Sequence, residues 1–227
     1  MIPLVNNFYT KDIRLGRIPE FDERSRQFPI RQLIKKTAKP VTRSWTCYKW
    51  LDQGDSPACT GFSVSHEAAA SPVVVPKIDN AVALNLYSRA KELDEWPGDD
   101  YDGSSVLGAI KAGAEKGWYQ EYRWSFSIDD LILAVGHSGP AVLGLNWYEG
   151  MFDPDINGYL HPVGECVGGH AILTNNVNMK GRFFTLHNSW GKSWGINGEA
   201  RISFDDLDRL LHEQGEACVP VRRGLGI

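Results

Sequence analysis

Four side chains stand in an order that can carry out acyl transfer through a thiol: Gln53, Cys59, His170 and Asn188. A thiol is a useful nucleophile near neutral pH only as thiolate, and a helix N-terminus and a neighbouring imidazolium both lower its pKa. Pro57-Ala58 precedes Cys59, Phe62 and His66 share a face after it, and Ser71-Pro72 stops the pattern. This predicts a helix from Cys59 to Ala70 with the thiol at its N-terminus. Among the histidines, His170 is the best partner, because Gly168-Gly169-His170-Ala171-Ile172-Leu173 sets it at the mouth of an apolar strand with small residues beside the ring. His66 lies inside the Cys59 helix, His137 and His161 fall in turns, and His212 falls in a polar helix. His187 would point away from Asn188 if both lie on one strand. An imidazole that takes and returns a proton also needs a group to fix its tautomer, and the amide oxygen of Asn188 can do this. Two tryptophans and two glycines follow in Asn188-Ser-Trp190-Gly-Lys-Ser-Trp194-Gly195, enough apolar surface to shield such a bond from water.

The elements that would position these groups read as helices first and strands second. After the Cys59 helix, a second runs from a cap at Asn80 to Leu93, with Ala83, Leu86, Tyr87, Ala90 and Leu93 on one stripe. A third starts near Ser104 or Ser105 and ends at Gly117. A fourth starts at Ser127, where the spacing to Asp130 imitates a capping box, and stops at Gly136. Short strands follow over residues 141–147, 171–175, 183–187 and 200–203. This order predicts two segregated lobes with a cleft between them, not a repeating strand-helix parallel sheet.

Composition bounds the rest. With 227 residues, 42% hydrophobic, the chain can bury a sizeable core without staples. A formal charge of −4 with mixed signs offers no basic face of the kind that binds nucleic acid. No apolar run is long enough to cross a bilayer, and Met1 to Val5 lack the basic start and apolar core of a secretion signal, so a cytoplasmic protein without membrane partners is expected. Cys47, Cys59, Cys166 and Cys218 are too few and too scattered for a disulfide framework, and none are spaced as a zinc knuckle. The expected chemistry needs neither cofactor nor metal.

Taken in order, Gln53-Gly54-x4-Cys59, then Gly169-His170-Ala171, then Asn188-Ser-Trp-Gly-x3-Gly195 resemble the papain family of cysteine peptidases over roughly residues 45 to 205. Three ordered motifs are far more specific than a lone Cys and His. The resemblance implies an α+β, papain-like two-lobed fold, with a helical N-terminal lobe (about 45–138), an antiparallel β-sheet C-terminal lobe (about 139–227) and the active-site cleft between them. It implies Cys59 as nucleophile, His170 as general base and acid, Asn188 as the orienting amide, and Gln53 with the Cys59 backbone N–H as oxyanion donors acting on a peptide or protein substrate. Asp102-Gly103-Ser104 resembles the glycine-containing segment that lines family clefts, where substrate pairs in extended form; a helix-entry turn is the plainer reading. Gly169 stands where the family often has an acidic or amide residue before the histidine, and Trp190 would cover the Asn188 to His170 contact. Cys166 and Cys218 sit where the family has a late-lobe disulfide, with a reduced pair as the alternative; Cys47 reads as a buried small hydrophobe.

The chain also departs from the pattern. Thr60 replaces the usual Trp after the nucleophile, Ser56 removes a familiar cysteine, and the spacing to the late motifs is shorter than the roughly 130 to 150 residues of cathepsins. Trimmed loops and an unfamiliar specificity pocket follow. Two other classes share these residues: a scaffold or binding module that keeps the fold without the chemistry, and a thiol acyltransferase or amidase. Residues 1–44 read as an extended arm, shorter and less helical than a family propeptide. Apolar anchors at Phe8, Ile13, Leu15, Ile18, Phe21, Phe28 and Leu33 predict that it packs on the body instead of entering the cleft. Leu15-Gly16-Arg17-Ile18-Pro19 within it resembles leaders of papain-like proteins from bacteria and their phages. That implies a cytoplasmic or virion-associated peptidase, with virion or host-protein association as a further partnership.

Overall fold

The computed structural model describes residues 12–72, 74–96 and 101–221. Phe8, expected to anchor the arm, lies outside them. The arm contributes a short helix α1 (Glu23–Arg26), a 3-10 turn (Ile30–Gln32) and a two-residue strand β1 (Arg43–Ser44). Its buried anchors are Leu15, Ile30 and Ile34, whereas Ile13, Phe21 and Phe28 stay exposed. Ile13 falls in the turn at residues 12–14, and Phe21 and Phe28 flank α1, so these side chains do not alternate as an extended strand would place them.

Helix α2 (Cys59–Ala68) is buried along its whole length. It lies against α3 (Asn80–Leu93) at Gly61, where a Cβ would come within 2.5 Å of the Ala83 carbonyl oxygen. The cap of α3 is Asp79, one residue before the expected Asn80, and its carboxylate accepts from Val82 N at 2.9 Å. Ala83, Leu86 and Ala90 form its buried stripe, with Tyr87 and Leu93 partly covered. Helix α4 (Val106–Glu115) is capped by Ser105, as its sequence predicts. Strand β2 (Glu121–Ser125) follows, then α5 (Ile128–His137), whose first turn Ser127 caps through Asp130 N.

The sheet is completed by β3 (Ala141–Tyr148), β4 (Cys166–Asn178), β5 (Phe183–His187), β6 (Glu199–Ser203), helix α6 (Phe204–His212) and β7 (Glu216–Val221). Pairing is antiparallel in the order β2-β7-β3-β4-β5-β6, with β1 added beside β4. Strands β2 and β7 were not expected from the sequence: their mixed polar and apolar residues show no clean alternation. His170, expected at the mouth of a strand, lies inside the thirteen-residue β4, opposite Leu145 of β3.

Along β3 and β4 the side chains alternate between two cores. Leu143, Leu145 and Ile172 join a cluster with Phe184, Ile202 and Leu207, while Val142, Ala171 and Leu173 join Phe62, Leu86 and Ile110 of the helices. Helix α5, expected in the helical lobe, packs Leu131, Ala134 and Val135 into the sheet-side cluster. Cys59 and Ala171 belong to the helix-side cluster, so the thiol stands where the two halves meet. All four cysteines are free thiols. Cys218 pairs with Val142 and Cys166 with Tyr148 along the same strand, about 20 Å apart at a strand's rise per residue, which excludes the Cys166–Cys218 bridge that the resemblance suggested.

Candidate active site

The sequence places Cys59 at the first residue of α2, and Ala58 before it supplies no side-chain cap, leaving the N-terminal end of the helix dipole directed at the thiol. Cys59 Sγ accepts from Ala171 N at 3.4 Å, which brings the thiol to the residue after His170 although they are 112 positions apart in the chain. His170 Nε2 is 2.8 Å from Asn188 Oδ1. That amide oxygen also accepts from Ser189 N at 2.8 Å, so the oxygen, not the nitrogen, faces the ring. Nε2 must then carry the proton, and Nδ1 is left as the basic nitrogen. Nδ1 has no partner of hydrogen-bond geometry. Trp190 and Trp147 each pack against the imidazole with ring centres 4.8 Å away, and both indoles are buried.

Gln53 is held at both ends of its amide. Its Oε1 accepts from Ser189 Oγ at 2.7 Å, and its Nε2 donates to Ser56 O and, at 3.1 Å, to Arg14 O. Gln53 N also donates to Ser189 O, so the segment carrying the amide donor is fastened to the segment carrying Asn188. Gln53 and Cys59 are thus brought to the distant His170 and Asn188 through hydrogen bonds of Ser189 and Ala171.

The arm occupies the cleft, contrary to the expectation that it would pack elsewhere on the body. Ser104 N donates to Gly16 O, Ile18 N donates to Ser104 O, and Arg17 N donates to Gly169 O. Arg17 and Ser104 thus form a parallel bridge, with Gly169 on the other side. The approach demands glycine on three sides: a Cβ at Gly103 would sit 2.4 Å from Gly16 O, one at Gly169 would sit 2.2 Å from Arg17 O, and one at Gly16 would sit 1.9 Å from Pro57 O. Of the residues expected to line a substrate path, Ser104 and Gly169 hold peptide backbone, Gly103 makes room for it, Trp190 lies beside His170, and Asp102 is an exposed rim residue. The Arg14 guanidinium lies 4.3 Å over the Trp190 ring and lines an open cavity of about 460 Å³ with Phe152, Val167 and Trp194.

Under this cover Cys59 and His170 are fully shielded from solvent. Burial pushes the Cys59 thiol up to about 11, against the opposing effect of N–H groups from Ala171 and Gly16. Burial also lowers His170 to about 4, although the Asn188 hydrogen bond works in the other direction. Both groups are neutral in this closed arrangement.

The sequence did not indicate the polar assembly on the far side of Asn188. His187 Nδ1 is 3.1 Å from Glu199 Oε1, and its Nε2 is 2.9 Å from Lys49 O. His66 packs edge-on to it at 4.5 Å and accepts from Leu51 N. Cys47, buried as expected, directs its thiol to Lys49 O and His66 O. No group of His, Cys, Asp and Glu able to hold a metal ion occurs among the described residues, and none of their helices is long and apolar enough to cross a membrane.

No protein-family model matches the chain. It is 26% identical over 120 residues to a cathepsin B-like cysteine proteinase 4 of Caenorhabditis elegans, a match spanning 47% of this chain and 36% of that protein. Among solved structures, the fold matches xylellain, a cysteine protease from Xylella fastidiosa, with TM-score 0.70 and 19% identity, covering 94% of this chain and 97% of that one. It also matches digestive procathepsin L2 proteinase from the larval midgut of Tenebrio molitor, with TM-score 0.60 and 16% identity over 94% of this chain and 78% of that one. These neighbours carry the two-lobed α+β architecture that the motifs implied.

Proposed function

We propose that this chain, which has the papain-like cysteine peptidase fold and resembles those peptidases in sequence, is itself a peptidase acting on peptide or protein substrates through Cys59. The observation that carries this reading is the 2.8 Å contact between His170 Nε2 and Asn188 Oδ1, because it fixes the tautomer that leaves Nδ1 free to act as a base.

Catalysis begins when the arm gives way to substrate. Nδ1 takes the Cys59 proton, and the sulfur attacks the substrate carbonyl carbon. The carbonyl oxygen becomes an oxyanion, accepting from Gln53 Nε2 and the Cys59 backbone N–H; Gln53 Nε2 now donates to the arm's own Arg14 carbonyl. Such a donor contributes roughly 3 kcal/mol to lowering the barrier. The tetrahedral species collapses, the C–N bond breaks, and the amine leaves with the proton held by His170. Water then attacks the thioester, again giving its proton to Nδ1, and the acid departs as the thiol is restored. Ser104 and Gly169 present to substrate the backbone groups that they now present to residues 16–18.

The test is labelling with a thiol-directed epoxide, with the modified residue located by mass spectrometry, beside turnover of a peptide mixture by wild type and Cys59→Ala. Selective labelling of Cys59 and loss of all turnover in Cys59→Ala are expected. Equal labelling of Cys47, Cys59, Cys166 and Cys218, or turnover that persists in Cys59→Ala, would overturn the reading. Amine-substituted products in place of a new amine and acid would reassign it to acyl transfer.

A further inference from the structure

The arm is fastened in two places. Residues 16–18 are held in the cleft by Ser104 and Gly169, whereas residues 28–34 are anchored on the sheet side, where Trp124 N donates to Phe28 O and Ile30 and Ile34 are buried. Glu20 lies between the two, beside a second carboxyl. Ser104, whose backbone grips Gly16 and Ile18, donates from Oγ to Asp94 Oδ2 at 2.8 Å, and Ser105 donates from Oγ to Asp94 Oδ1 at 2.6 Å. Gly108 makes room for that carboxyl: a Cβ there would lie 2.5 Å from Asp94 Oδ1. Ser105 is also a hydrogen-bonding partner of the Glu20 carboxyl. A hydroxyl has one proton to give, so the two carboxyls compete for it. Glu20 Oε2 is buried with no partner. Nor does a cation meet the pair: Lys111 stands 4.0 Å from Glu95, Arg24 is engaged by Asp22 and Glu95, and neither Glu20 nor Asp94 forms an ion pair among the described residues. Tyr122 of β2 faces the same group.

We propose that Glu20 and Asp94 share a proton and form a latch at the hinge of the arm, holding residues 14–18 over the cleft while protonated and freeing them as pH rises. As regulation of the cleft this rests on the peptidase reading; the latch itself does not. Two carboxyls around one hydroxyl cannot both ionise without repulsion, so they titrate as a pair. Burial raises Glu20 and the Asp94 charge adds to it, against the Ser105 hydrogen bond; burial raises Asp94 against the bonds from both serines. A raised carboxyl stabilises the seated arm fully at low pH, and that contribution is lost as pH rises through the raised value. The other groups under the arm have the opposite sign. The buried Arg17 guanidinium donates from Nε and Nη2 to Glu216 Oε1 at 3.0 and 2.8 Å, and it draws down a carboxyl that burial pushes up. Removing Arg17 makes Glu216 a stronger base, so that pair opens with uptake of a proton, toward acid pH. His170, lowered by burial beneath the arm, does the same. Opening with rising pH therefore marks the Glu20 and Asp94 pair.

The experiment is amide hydrogen exchange on the full-length chain carrying Cys59→Ala, which removes thiol titration, from about pH 5 to 8, with the intrinsic pH dependence of exchange divided out. The opening constant read at the Arg17 and Ile18 amides should rise with pH, by up to about tenfold per pH unit where the single proton leaves. The amides of Leu33 and Trp124, at the anchored base, should keep their protection throughout. Adding Glu20→Gln, whose neutral amide stands in for the protonated carboxyl, should abolish the rise and keep the arm seated. Asp94→Asn removes the other charge and should flatten the rise as well, which serves if the Glu20 variant folds poorly. An opening constant that is flat or falls with pH in the parent, a slope unchanged by both variants, or loss of protection at Leu33 and Trp124 in step with Arg17 would overturn the latch. Turnover by the wild type separates the two readings. Turnover without alkaline opening sinks the latch alone, whereas alkaline opening without turnover sinks the peptidase reading and leaves the latch.

Discussion

Two histidines on adjacent strands, His170 in β4 and His187 at the end of β5, are both buried and both held by a side-chain oxygen, yet their basicities lie far apart. His170 falls to about 4 and His187 rises to about 9. Burial works against the charged form of each; the difference is in the partners. His170 has a neutral amide, Asn188, whose hydrogen bond offsets only part of the cost. His187 has the Cys47 side chain and the Glu199 carboxylate, which together outweigh burial. An amide orients a ring without fixing its charge, which suits the acid-base role proposed for His170. Cys47 and the Glu199 carboxylate together keep the ring protonated through neutral pH, which suits a group that holds loop 47–51 against the sheet through Lys49 O. The proposed chemical role of one histidine and the structural role of the other are thus separated by the charge and polarity of their partners.

The sharpest way to break this comparison is to exchange the losses. His170→Gln should lower turnover by about a thousandfold, within the usual range for removing a general acid-base, while moving the melting temperature little. His187→Gln should do the reverse: kcat/KM stays within a few-fold, and stability falls by roughly 1–3 kcal/mol from the buried groups left unpaired. Denaturation curves beside kinetics check both, and a large loss of turnover in His187→Gln would show that the two roles are not separate. A second variant makes one histidine resemble the other. Asn188→Asp gives His170 a carboxylate, so its pKa should rise by about 1 to 3 units. A rising acid limb of the pH-rate profile should move correspondingly toward higher pH, and an unmoved limb would show that the Asn188 contact does not govern His170.

A third and smaller effect is in stability against pH. His187 has a folded pKa near 9, above its ordinary 6.5, so the protons it holds stabilise the fold fully below about 6.5, and that contribution is lost as pH rises through about 9. His170 has the opposite sign: its folded pKa near 4 means that stability present above 6.5 is lost as pH falls from there through 4. Melting temperature should therefore decline on both sides of neutrality, and Glu199→Gln should flatten the alkaline side. A Glu199→Gln profile identical in shape to wild type would remove His187 from that account.

Much of the cleft could be read in the sequence because its parts carry local marks. The thiol follows a helix-entry proline, Ser105 is a cap at the expected place, Ser127 caps through the expected Asp130, and Gly169-His170 and Asn188-Ser-Trp190 are dense in unusual residues. Charge complementarity across the fold left no such mark. Nothing near Arg17 indicates Glu216, and nothing near His187 indicates Cys47 or Lys49, because those contacts exist only after the strands have been ordered. The arm was misread for a related reason: its apolar residues were counted as anchors, whereas the informative residue was Gly16, small enough to pass beneath Pro57. Strand β7 was missed because it is buried on both faces and so shows no polar-apolar alternation, Glu216 and Cys218 included.

The burial of Cys59 beneath residues 14–17 also bears on how long the molecule keeps the sulfur proposed as its nucleophile. Peroxides and other oxidants attack thiolate far faster than thiol, and a thiol held near 11 presents almost no thiolate at neutral pH. The arm therefore protects twice, by excluding the oxidant and by withholding the reactive form, while the exposed Cys166 takes the first oxidative hits. A stock of this protein with the arm seated should age through sulfenic acid at Cys166 and retain an intact sulfur at Cys59. On the proposed mechanism, displacing the arm makes Cys59 competent and perishable at the same moment.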